Sequence, residues 1–372
     1  MGREKGTGKR QKNIRYFDYT LLMIVFFLIC FGLVMLYSTS SYNGQVRFKD
    51  GAFYLRKQLQ ADVLGIAVLA VVARIDYRVW KNFWLLAYIG GIGLCTLVLF
   101  IGEESNGAKR WLDLGFTSFQ PSEAAKLAVI VFLATIISKM PKQMGKFTSL
   151  VKIIAIILPM VGVVAIENLS TAIIIMGVAI SMIFVASPKY AQFFVAGGVV
   201  VLFGSIFIMM ASYRVERLLI WRNPEKFAKG YQTLQGLYAI GSGGLFGKGL
   251  GGSMQKLGFV PEAQNDMIFS IICEELGLFG AVSVILLFVI IIWRFMVIAS
   301  NAQDLYGALL VTGVLAHISI QVILNIAVVT NTVPNTGISL PFISYGGTSV
   351  LFLLAEIGLV LSVSRGIHFG QE

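Results

Sequence analysis

Ionisable side chains are scarce in this chain. Asp, Glu, Lys and Arg make up only 13% of the 372 residues, hydrophobic residues make up 57%, and the mean hydropathy is +0.80. Soluble globular domains carry about a quarter charged residues, so a water-exposed surface around an apolar core is excluded. Cysteine is nearly absent too. Cys30, Cys95 and Cys273 all fall inside apolar runs, without the spacing of a disulfide framework or a metal motif, and read as small packing residues. Histidine is rarer still, and of the two present His317 sits in an apolar run. That excludes a histidine-dependent triad and a zinc site. No repeat of fixed period occurs, and no stretch has the composition of a second, soluble domain.

What the chain does have is apolar blocks. The segments 19–37 and 150–166 hold almost no charge and 192–212 holds none. Each is long enough to cross a hydrocarbon core of roughly 30 Å at about 1.5 Å per residue. They lack the alternation of apolar and polar faces that core helices of soluble proteins show. The expected spans are 18–38, 58–74, 83–101, 121–138, 150–166, 169–187, 190–211, 266–293, 305–330 and 344–364. The fold class is therefore all-α integral membrane, with ten transmembrane helices and both termini on one side. Residues 1–17 form a basic N-terminus, 18–366 a single membrane domain and 367–372 a tail. The first apolar run is too long for a signal peptide and lacks a small-residue cleavage site. With the termini inside, sixteen Lys and Arg lie on the inner side and six in the short outer loops, the bias of the positive-inside rule. The long loop 212–265, between the seventh and eighth spans, then falls outside. The net charge of +11 flanks apolar spans, which points to anionic lipid headgroups or a phosphorylated lipid and away from nucleic acid.

Ionisable groups at membrane depth are costly and default to function. In Gly107–Val129 a helix is expected to begin at Pro121, with Glu123 and Lys126 on one face. A local ion pair locking the helix and a pair bordering an outer cavity both fit that spacing. Asp266 stands at the outer end of the eighth span, where it could cap the helix or act as a general base on a hydroxyl. At about 100° per residue, Glu274 lies about 80° round the helix from Asp266 and Glu275 opposite it. At most one of them can share its side, and both are expected to pair with neighbouring helices. Arg110, Arg214, Arg217, Lys248 and Lys256 belong to a basic set on the expected outer face. Beside the glycine-dense Gly241–Gly252 turn, with its exposed amides, that set suits a diphosphate. Thr332–Ser349, with two prolines and three glycines, reads as a shaped loop between the last two spans.

Four stretches together carry a resemblance. GAKRWLDLG with FQPSEAAKLAV, GYQTLQGLYAIGSGGLFGKGLGGS, FVPEAQNDMIFSIICEELGLFG and PNTGISLPFISYGGTS occur in this order. The chain resembles, from about Tyr16 onward, the SEDS family of bacterial cell-wall proteins (shape, elongation, division and sporulation). The spelling lies closer to the division and sporulation members than to the elongation member. The resemblance implies ten transmembrane helices in the bacterial cytoplasmic membrane and a peptidoglycan glycosyltransferase that polymerises lipid II at the outer face. It also implies a class B penicillin-binding protein as partner, among other division or elongation proteins. It maps the family's essential aspartate onto Asp266 and its glutamate–lysine motif onto Glu123 and Lys126. A divalent cation, Mg or Mn, enters only as a candidate aid to the leaving diphosphate, with Asp266 its one candidate ligand. One departure is clear. Where many relatives carry Asp followed by Gly-Thr after the fifth span, this chain has Glu167, Asn168, Leu169, Ser170 and Thr171. A lipid transporter and a non-catalytic scaffold for a transpeptidase are the rival readings. Transporters are built from repeats around a midplane site, whereas here the polar features gather on one face.

Overall fold

The computed structural model describes residues 16–105, 108–113, 118–189 and 218–367. In chain order the helices are α1 (Tyr19–Phe48), α2 (Phe53–Arg74), α3 (Trp84–Ile101), α4 (Pro121–Lys139), α5 (Phe147–Glu167), α6 (Leu169–Ala186), α7 (Tyr231–Gly243), α8 (Ile268–Ser300), α9 (Leu305–Val329) and α10 (Gly347–Ser364). Eight of them, all but α2 and α7, are long and apolar enough to cross a membrane. The expected seventh span at 190–211, the basic residues before Tyr16, and Arg214 and Arg217 lie outside the described residues.

Several helix starts follow from local chemistry. The Asp18 carboxylate accepts the Leu21 amide at 2.9 Å and so caps α1, Asn168 caps α6 through the Thr171 amide, and Asp304 caps α9 through Gly307. These satisfy amides that a helix leaves without partners. α4 opens on Pro121, whose missing N–H costs nothing there. The expected second span, 58–74, is α2, which starts earlier and carries Arg56, Lys57 and Asp62. It lies along α10, and Gln58 joins the two regions, accepting the Gly346 amide at 3.0 Å and donating to Asp62 at 2.9 Å.

α4 is the central post. It packs against α3, α6, α9 and α10, and its residues are buried nearly all round, from Pro121 to Ile137. The loop after α3 adds a feature the helical pattern did not announce. Residues Glu103–Ser105 (β1), Ala108–Asp113 (β2) and Ser118–Phe119 (β3) form a small antiparallel sheet in that order. Leu112 pairs with Phe119, which holds β2 beside the start of α4.

α8 is broken. Gly277 has φ 67° and ψ −164°, and this frees backbone groups that hydrocarbon cannot satisfy. The glycine-dense turn fills the gap. The Lys248 and Gly249 amides donate to the Glu274 and Glu275 carbonyls at 2.9 and 3.0 Å, and the Leu278 and Phe279 amides donate to Gly244 and Leu245. A Cβ on Gly277 would lie 2.4 Å from the Gly247 nitrogen, so the approach demands glycine. The expectation that this turn offers its amides to an anion is thereby corrected for Lys248 and Gly249, whose N–H groups are spent on the broken helix.

Gly277→Ala combines a left-handed φ with that overlap. It is expected to cost about 3 kcal/mol, read as a lower melting temperature of the detergent-purified protein, and an unchanged melt would contradict the stitching.

Candidate active site

A cavity of about 1470 Å³ opens among α2, β2, the starts of α4 and α6, α7, and the segments before α8 and α10. Asp266, Glu123, Lys126 and Arg110 all line it. The first two are far apart in sequence and open onto one space because Pro121 starts α4 and the Val260–Met267 turn delivers Asp266 at the mouth of α8.

Asp266 is 8% exposed. Its capping alternative fails, because Met267 occupies the cap position and no side chain caps the helix. Among the described residues no cation pairs with it; its carboxylate accepts one side-chain hydrogen bond, from Gln232 Nε2 at 3.5 Å from Oδ1. Asn325 donates to the Asp266 backbone carbonyl at 2.8 Å and to Ile338 at 2.7 Å, which pins the residue between α9 and the segment that follows it. Burial pushes the Asp266 carboxyl up from 3.8 to about 7, the nearby Glu262 charge adds to the rise, and the Met267 amide opposes it. A carboxylate tuned near neutrality suits proton exchange.

Glu123 and Lys126 behave otherwise. Their charges meet at 2.9 Å, both side chains are buried, and Lys126 Nζ also donates to Gln321 at 3.3 Å. The pair is thus an ion pair and a wall of the cavity at once. Arg110, Lys57 and Lys229 bring further positive charge to the lining.

Lys248 and Lys256 do not line the cavity. Lys248 Nζ lies 2.6 Å from Glu274 Oε1, and Lys256 Nζ lies 2.7 Å from Glu275 Oε1 and 2.9 Å from Ser38 on α1. Both glutamates are fully buried, and a buried carboxylate holds its cation tightly. The two lysines expected to face a diphosphate thus lie apart from the cavity that Asp266 lines, and they strap the loop to α8 and α1. The glutamates do pair, as anticipated, but with this loop.

Sequence reasoning passed over several lining residues. Gln232 and Asn335 sit inside two of the four family-like stretches, and Asn335 donates to Gln232 at 3.3 Å, extending a chain of amides toward Asp266. Their position within those stretches was the available signal. Lys57 carried none. At the departure from the family pattern, Asn168, Ser170 and Thr171 line the cavity, and Ser170 donates to the Thr336 carbonyl at 2.8 Å. Among the described residues no group of three or more His, Cys, Asp or Glu could hold a metal ion, so an all-protein cage is not built around Asp266.

Residues 19–368 match the FtsW/RodA/SpoVE family of cell cycle proteins. The chain is 39% identical to stage V sporulation protein E of Bacillus subtilis, over 94% of this chain and 97% of that one. It is 36% identical to the probable peptidoglycan glycosyltransferase FtsW of Geobacter metallireducens, over 95% and 96%. A solved chain from a peptidoglycan synthase complex that coordinates polymerization and crosslinking superposes with a TM-score of 0.82 at 26% identity, covering 94% of this chain and 98% of that one. The rod shape determining protein RodA of Thermus thermophilus superposes at 0.69, also at 26% identity, covering 95% and 98%.

Two measurements test this geometry. Between pH 3.8 and about 7 the folded state retains a proton on Asp266 that an exposed carboxyl gives up, so its raised pKa makes the fold lose stability as pH climbs through that window. Asp266→Asn removes the loss, and its melting temperature is expected to gain on wild type from pH 5 to 7.5, whereas a pH-independent difference would contradict a buried, unpaired acid. Lys256→Met should cost about 3–5 kcal/mol by stranding Glu275, with much of it restored on adding Glu275→Gln. Undiminished stability of the single variant would return Lys256 to a solvent-facing role.

Proposed function

The chain belongs to the FtsW/RodA/SpoVE family of cell cycle proteins, and from that premise we propose that it works as the peptidoglycan glycosyltransferase whose chemistry centres on Asp266 and whose substrate is lipid II. The observation that carries this reading is a buried carboxylate without a cationic partner among the described residues, facing a large chamber lined by Arg110, Lys57, Lys126 and Lys229. Leu64, Ile174 and Leu351 also line the chamber, so apolar and cationic walls meet in one space, as a sugar diphosphate on a polyprenyl tail requires.

The reaction written for this site is a single displacement. The 4-hydroxyl of the acceptor GlcNAc gives its proton to Asp266 as its oxygen attacks the anomeric carbon of the donor MurNAc. The new C–O bond forms as the bond to the diphosphate breaks. Configuration inverts to a β-1,4 link, and undecaprenyl diphosphate leaves. Because the acceptor is a sugar, the paired carboxylates of a hydrolase are not needed. The cations stabilise charge as it develops on the leaving oxygen, which lowers the barrier only if they are already in place. Glu123 serves here by holding Lys126 rather than by moving a proton.

The cavity mouth is assigned to the outer face of the cytoplasmic membrane, with both termini inside, on the strength of the Lys and Arg distribution. A class B penicillin-binding protein is the proposed partner. The similarity to a chain from a synthase that joins polymerization to crosslinking supports it.

Purified chain with labelled lipid II should make glycan strands. Asp266→Asn should lower the rate by 100-fold or more, roughly the scale of a lost general base, while the protein still purifies as a folded species. The wild-type rate should climb about tenfold per pH unit below about 7 and level off above it. Full polymerisation by Asp266→Asn would remove the residue from the mechanism. Translocation of lipid II without strand formation would favour the transporter, and polymerisation that appears only from a partner's own active site would favour the scaffold.

A further inference from the structure

α9 carries three buried polar residues at four-residue steps, His317, Gln321 and Asn325, which places them on one face. Asn325 holds the Asp266 backbone, and Gln321 accepts Lys126 and donates to the Ser339 carbonyl at 3.1 Å. One turn deeper, and outside the cavity lining, His317 Nδ1 lies 2.8 Å from Glu356 Oε2 on α10. His317 and Glu356 are 1% and 0% exposed. His317 Nε2, Asn325 Oδ1 and Glu123 Oε2 are among the enclosed side-chain atoms with no hydrogen-bond partner among the described residues.

The elements packed on α9 at this depth contribute few other charges. α4 brings Glu123 and Lys126, and α10 brings Glu356 alone. α6 has no titratable residue in its length, and the Glu274 and Glu275 carboxylates of α8 are turned to Lys248 and Lys256. Glu123, Glu356 and Lys126 would leave one uncompensated negative charge in an apolar interior, which is costly. A proton on the His317–Glu356 pair removes it, with Nδ1–H on Glu356.

We propose that His317 is a positioning residue: held charged by Glu356, it balances the buried charge behind Glu123, so that Lys126 keeps its ammonium at the cavity wall for the diphosphate of the lipid-linked donor. The proposal rests on the reading of the cavity as a lipid diphosphate site. A surplus negative charge behind Glu123 would compete for Lys126 and repel the diphosphate, an effect on binding rather than on proton transfer at Asp266.

The test is charge balance. His317→Gln leaves Glu356 unbalanced, and His317→Gln with Glu356→Gln removes one charge of each sign. Binding of undecaprenyl diphosphate to the full chain in detergent, followed by ligand-induced thermal shift, is compared with binding of uncharged undecaprenol. His317→Gln is expected to weaken diphosphate binding and to raise KM for lipid II by about tenfold, a step of about 1.4 kcal/mol. Undecaprenol binding should not change, and kcat should stay within about threefold of wild type. The double variant should return diphosphate affinity to within about threefold of wild type. A double variant as impaired as His317→Gln, or a loss confined to kcat, would overturn the proposal. If His317→Gln does not fold, the double variant decides alone, and a defect larger than about threefold overturns it. If wild type binds undecaprenyl diphosphate and responds as described yet makes no strands, the polymerase reading fails while the charge balance stands.

Discussion

A helix that breaks inside a bilayer must find partners for the groups its break sets free, because no water is there to take them. In α8 the break at Gly277 releases carbonyls on one side and amides on the other, and the Gly244–Gly249 turn returns a partner to each of the four named above. The Glu274 and Glu275 side chains at the same level take Lys248, Ser253, Lys256 and Ser38. The glycine-dense loop is thereby fastened to α8 and to α1, and the first turns of α8 are fixed relative to the rest of the bundle. Asp266 sits two residues ahead of that helix, so its position is inherited from the stitching below it. At the far end of α8, Arg294 pairs with Asp18 at 2.6 Å, which ties the other half of the broken helix to the start of α1.

Within this frame the carboxylates divide by company. Glu123, Glu274 and Glu275 each meet a lysine within 3 Å, and each is thereby committed to holding structure. Asp266 is comparably buried, but the side chain that hydrogen-bonds it is the neutral amide of Gln232. Burial without a counter-ion is what lifts its proton affinity toward neutrality. The same desolvation that weakens the native state lets the group exchange a proton near neutral pH, a familiar exchange between stability and reactivity. Counter-charge is present in the chamber, at Arg110, Lys57, Lys126 and Lys229, but among the described residues none of it pairs with Asp266.

Much of this was legible in sequence. Apolar length gave the spans from α3 to α6 and from α8 to α10, and Pro121 with Glu123 and Lys126 marked the start of α4 and its ion pair. The four family-like stretches converge on one cavity, with Asp266 and Glu123 both on its wall. What stayed hidden depended on distance across the fold. Helical geometry put Glu274 and Glu275 on different sides of α8 but could not say that one loop would supply both lysines, from 26 and 19 residues earlier. The glycine density of 241–252 reads equally well as anion-binding amides or as close backbone contact, and only the broken α8 decides between them. The β1–β3 sheet is three strands of two to six residues, too short for an alternating pattern to stand out beside apolar helices. His317 looked inert because its partner, Glu356, lies 39 residues away on another helix.

The account turns on whether the acceptor hydroxyl meets Asp266. A cryo-electron microscopy structure of the Asp266→Asn variant with lipid-linked donor and acceptor bound would test that most directly. The account predicts the acceptor 4-hydroxyl about 3 Å from the residue 266 side chain, within hydrogen-bond reach, with the donor diphosphate against Arg110, Lys126 and their neighbours. An acceptor hydroxyl bound elsewhere, with residue 266 touching neither sugar, would contradict it.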